Sequence, residues 1–80
     1  MQPYAEAFPV RTKVVVAPLP DLEKFRLNWR LHNPLTESQL QFAGAVARVK
    51  SVGFYHGGDV LYKLTKIPGV WHEVCLRSAS

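Results

Sequence analysis

The sequence predicts a mainly β domain, a small five-stranded barrel with one short helical turn. Three observations predict it. The run Lys-Phe-Arg-Leu-Asn-Trp-Arg-Leu-His from Lys24 to His32 alternates apolar and polar residues without a break, as a half-buried strand does because successive side chains point to opposite faces. Two further segments carry tight-turn signals, His56-Gly57-Gly58-Asp59 and Ile67-Pro68-Gly69. Eighty residues then hold five extended segments, which bury a face each only by curling into a barrel or a strongly bent sheet.

Taken in order, residues 1–11 contain Pro3 and Pro9 and show little periodicity; they read as an extended N-terminal arm ahead of a barrel domain at 12–80. Such an arm is suited to a sheet edge or a neighbouring subunit. Lys13 to Ala17 is a β-branched burst stopped by Pro18 and Pro20, hence a short strand and a loop. Asp21-Leu22-Glu23 reads as a single turn before the strand at 24–32, which Asn33-Pro34 ends. Thr36-Glu-Ser-Gln39 matches a capping box, so a short helix is expected from Glu37 to about Phe42, closed by Gly44.

The stretch from Ala45 to Tyr55 is ambiguous. Val46, Val49 and Val52 are spaced by three, as in a helix, whereas the valines with Phe54 and Tyr55 favour a strand by propensity. The hairpin signal that follows decides for a strand, bent or bulged near Ala47–Arg48. Val60 to Lys66 places Val60, Tyr62 and Leu64 on one face. Ile67-Pro68-Gly69 has the residues of a type II turn, and Val70 to Leu76 reads as the last strand.

Composition sets the outer limits. Apolar residues make up 48% and charged residues 20% of the chain, too apolar for disorder. No apolar run reaches the ~18–20 residues that span a bilayer, and no basic segment followed by an apolar block marks a secretory signal. The single Cys75 has no internal disulfide partner, which points to the cytoplasm. Net charge is +4, of which residues 1–40 contribute +1 (five Lys/Arg against four Asp/Glu) and 41–80 contribute +3 (five against two). A small core in an 80-residue chain gains from association, so a homo-oligomer is expected.

Residues 44–76, with Gly44 opening a strand, then the Gly57-Gly58 hairpin, Tyr62 in mid-strand, Trp71, Glu73 and Leu76, resemble the C-terminal half of a Src-homology-3-like small β-barrel. Tudor-type modules and the β-subunit barrel of nitrile hydratase share that outline. The resemblance implies a binding or assembly module. The N-terminal half lacks the acidic, Tyr-rich first loop that goes with proline-peptide recognition. In size and character the chain also resembles the small proteins encoded in bacterial mobile gene cassettes, which implies no activity.

Two binding surfaces are candidates. A cationic row of Lys24, Arg26 and Arg30, ending at His32, would span about 20 Å at ~3.3 Å per residue and track the phosphates of a nucleic acid or another anionic partner; the alternative is a solvated face. Tyr55, Tyr62 and Trp71 form a candidate aromatic patch, able to cage a cation through the ring quadrupole or to serve as core residues with polar tips. No metal site and no cofactor are expected: His72 and Cys75, three apart on a strand, point to opposite faces, and zinc needs about four ligands. Nor does any catalytic constellation emerge, since a lone Cys between Val74 and Leu76 is ordinarily a small buried hydrophobe. Plasmid-borne dihydrofolate reductases are of similar length and barrel type and work around a shared inter-subunit pore, so an enzyme or ligand-binding protein with such a pore is the other reading, although Val60-Leu61-Tyr62-Lys63 lacks the Gln-Ile pair of their Val-Gln-Ile-Tyr motif.

Overall fold

A computed structural model describes residues 6–55 and 58–79. It is mainly β. Strands β1 (Lys13–Val16), β2 (Val46–Phe54), β3 (Val60–Leu64), β4 (Ile67–His72) and β5 (Leu76–Ser78) form one antiparallel sheet in the order β4-β3-β2-β1-β5. The sheet is not closed into a barrel, because β4 and β5 remain its two edges. Helix α1 (Leu19–Asn28) and a 3-10 turn (Glu37–Phe42) lie between β1 and β2, and a second 3-10 turn (Glu73–Cys75) separates β4 from β5.

The alternating run at 24–32 is not a strand, and this is the main correction. Residues 19–28 are helical. Pro18 supplies an extended N-cap, and Pro20 falls in the first turn, where a missing N–H costs nothing. Asp21 sits in the same turn and Arg26 in the last, each favoured by the helix dipole. The apolar residues in use are Leu22, Phe25 and Trp29, spaced by three and four; Leu22 is buried, and Phe25 and Trp29 are half-buried. Leu27 and Leu31, which alternation would bury, are 70% and 67% exposed. Phe25 and Trp29 are four apart, a spacing that fits both periods, so the alternation hid the helix.

The remaining elements follow their sequence signals more closely. Val46–Phe54 is a strand, and its irregularity falls between Val49 and Ser51 rather than at Ala47–Arg48. The 37–42 helix is a 3-10 turn in which the Gln39 side chain reaches back to accept from the Thr36 N–H at 2.9 Å. The β3–β4 turn is Thr65-Lys66, with Lys66 at φ 65°, not Ile67–Gly69, which belongs to β4. The strand expected at 70–76 is divided by the second 3-10 turn. The β2–β3 hairpin closes through Tyr55 N–H to Asp59 O at 2.9 Å, although His56 and Gly57 lie outside the described residues.

The core combines Val14 and Val16 of β1 with Val49, Tyr62, Leu64 and Trp71 of β2 to β4, sealed by Leu22, Leu35 and Leu76. Burying each such large side chain contributes about 1.5–3 kcal/mol. Gly69 lies at φ 97° beneath Gln39, whose Nε2 donates to Val70 O at 3.0 Å. A Cβ at residue 69 would stand 2.8 Å from that nitrogen. The described part of the N-terminal arm, residues 6–11, is engaged by its own domain: Arg11 N–H donates to Val49 O, and the Phe8 ring packs on Tyr62 with centroids 5.7 Å apart.

Candidate functional site

The expected cationic row does not exist as a row. Lys24 and Arg26 are two residues apart on a helix and so face different sides, and Arg30 lies past the helix end. Arg26 and Arg30 border an open groove with Glu23 and Leu27. His32 turns inward: its side chain is 13% exposed, and Nε2 lies 2.9 Å from Asp59 Oδ2. The expected aromatic patch is also corrected. Tyr62 and Trp71 face each other across β3 and β4 and are 0% exposed. Tyr55 is exposed at the hairpin and stacks on His32, with centroids 3.6 Å apart and planes 12° apart.

A different set of rings converges. His72 ends β4 opposite Leu61, and α1 brings Phe25 and Trp29 to it with centroids at 4.9 and 4.7 Å. Phe25 and Trp29 stack on each other at 5.5 Å, as residues four apart on a helix can. The chain then turns at Asn33, which adopts φ 47°, a conformation that Asn tolerates better than most residues. That turn aims the Asn33 carbonyl at His72, whose Nε2–H donates to it at 2.9 Å. Trp29 Nε1–H donates to His32 O at 2.7 Å. His32 stands edge-on to Trp29 and 5.7 Å from His72, and its bond to Asp59 fastens the 29–33 segment to the β2–β3 hairpin.

Between these parts lies a cleft of about 350 Å³. Phe25, Trp29 and His72 supply its rings, Val60 and Val74 its aliphatic wall, and Asp59 and Glu73 its charge. No Lys or Arg lines it, in a chain with a net charge of +4. Each carboxylate is held through one oxygen. Asp59 Oδ2 accepts from His32, while Glu73 Oε2 accepts from the Tyr62 hydroxyl and from Ala7 N–H, the latter at 3.0 Å. Asp59 Oδ1 and Glu73 Oε1 have no intramolecular partner among the described residues.

Proton equilibria in the cluster follow from burial. His72 is pushed below the ordinary imidazole range, mainly by desolvation and also by His32. Its unfolded form therefore binds more protons as pH falls from the ordinary value towards the lowered one, and stability is lost through that window. Burial and the Glu73 bond push the Tyr62 phenol up to about 12. The Cys75 thiol is buried and raised to about 11, so at neutral pH it is a thiol rather than a nucleophilic thiolate. Among the described residues no three His, Cys, Asp or Glu side chains are placed to hold a metal ion, and no helix is long and apolar enough to cross a membrane.

Sequence reading missed Phe25, Trp29, Asp59 and His72 as one group. The available signal was the Leu22–Phe25–Trp29 spacing, which places two rings on one helix face; which strand end meets that face depends on register and topology. No family model matches the chain, and no curated protein or solved structure matches it.

Proposed function

We propose that the chain is a non-catalytic binding module whose ligand is a cationic side chain, arginine or lysine, presented by an extended peptide. One observation carries this reading: the cleft joins the stacked Phe25 and Trp29 rings, with His72 tilted against both, to two carboxylates, and no Lys or Arg lines it. A guanidinium over Trp29 gains about 0.5–2 kcal/mol from the ring quadrupole, depending on desolvation. Its N–H groups find Asp59 Oδ1 or Glu73 Oε1, and the bonds already made by Oδ2 and Oε2 fix those carboxylates in advance. The aliphatic stem of the ligand lies against Val60 and Val74.

The resemblance of residues 44–76 to part of a Src-homology-3-like module belongs to the same reading, with an open sheet in place of the closed barrel. Its support is that the Gly44-opened strand, the hairpin, the Tyr62 strand and Trp71 succeed one another along a single antiparallel sheet. The cationic row that argued for nucleic acid has lost its strand, so that partner is not proposed.

The test is a titration with a pentapeptide carrying one central arginine among alanines, against the same peptide with citrulline, its neutral isostere. Binding with a Kd of about 0.1–1 mM, or ~4–5.5 kcal/mol, is expected for the arginine peptide. The Trp29 indole N–H resonance should move and that of Trp71 should not. Asp59→Asn should weaken binding. Equal behaviour of the two peptides, or no movement at Trp29, overturns the reading.

A further inference from the structure

We propose that the cleft is proton-gated: the His72 imidazole, set in its wall between the rings and His32, must be neutral for a cation to enter, so acidification expels the ligand. This rests on the cation-binding reading above and adds its regulation. Geometry carries it. His72 lines the cleft together with the carboxylates that would hold the ligand. A proton on its ring thus places positive charge at the wall of the site the cation must occupy.

The surroundings make His72 responsive. From α1 and its C-cap it is faced by the uncharged rings of Phe25 and Trp29. From the segment after α1 it is faced by His32 at 5.7 Å and by the Asn33 carbonyl. The hairpin contributes Asp59, and Glu73 follows His72 in the chain. His32 Nε2 is hydrogen-bonded to Asp59 Oδ2, so one oxygen of that carboxylate is already occupied. Burial favours the neutral form of His72, and in that form the site is open to cations. Linkage makes the coupling reciprocal: a bound cation must push the His72 proton equilibrium further down by the same factor that the His72 proton weakens the cation.

Affinity for the arginine pentapeptide is measured at pH 7.5 and pH 5.0, and the His72 Cε1 proton is titrated with and without saturating peptide. Affinity should fall about 5-fold or more on acidification, the lower end of typical couplings, and the His72 midpoint should shift to lower pH when peptide is bound. His72→Gln, whose amide can replace the bond to Asn33 O, should show a much flatter dependence; the readout is its slope with pH and not its affinity. The wild-type Cε1 titration decides the matter should that variant fail to fold. Binding at pH 7.5 that is unchanged at pH 5.0 overturns the gate alone, as does an equal fall in His72→Gln or a midpoint indifferent to peptide. Absence of binding at pH 7.5 overturns the cation reading and the gate with it.

Discussion

The β2–β4 region and the β1–β2 connection contain similar residues and obey different rules. In β3, Val60, Tyr62 and Leu64 are buried and alternate with Leu61 and Lys63, which are more exposed, so every second side chain does the packing. In the connection, Phe25, Leu27, Trp29 and Leu31 alternate just as cleanly, yet only Phe25 and Trp29 pack inward. The difference lies in what surrounds each run. β3 follows a hairpin turn that hands it a partner strand, whereas the connection begins with two prolines that supply a helix start. Alternation reports a strand only where a neighbour is available to pair with it.

That contrast can be broken experimentally. The largest effect is expected at Leu22, the fully buried anchor of α1. Leu22→Ala should cost about 2–5 kcal/mol, measured by urea denaturation, and a loss below ~1 kcal/mol would show that the helix does not pack on the core. Next comes Arg26→Pro, which places proline inside α1, removes an N–H and should cost about 3 kcal/mol or more. A neutral outcome would return the segment to the extended form. Smallest is Leu27→Ser, expected to stay within ~0.5 kcal/mol because the side chain is largely in solvent. A cost above 2 kcal/mol there would mean that alternation rules this region after all.

Sequence alone reached the strands at β1, β2 and β3 because β-branched residues and the Gly57-Gly58 hairpin agree locally. It reached the 37–42 turn because Thr36 and Gln39 carry their own capping chemistry. It failed at α1 because a four-residue spacing satisfies two periods at once. It failed at the β3–β4 turn because Gly69 is required by the Gln39 side chain overhead, a tertiary demand. The site was least legible: Phe25, Asp59 and His72 lie far apart in the chain and meet only through strand register and the Asn33 bend. Of the expected site residues, His32 and Tyr55 are neighbours of the cleft, though as a clasp between loop and hairpin and not as ends of two separate surfaces.

The seat of Gln39 above Gly69 bears on how the molecule behaves among its own copies. An open sheet margin is a template on which another chain can add a strand. On β4 that margin is plugged, since the carboxamide of Gln39 already occupies the Val70 carbonyl, and Pro68 offers no amide hydrogen to an incoming backbone. The opposite margin, β5, is three residues long, too short to nucleate much growth. A single glutamine thus doubles as the lock of a turn and as a guard against fibrous stacking, and its replacement by alanine would expose the longer rim to pairing.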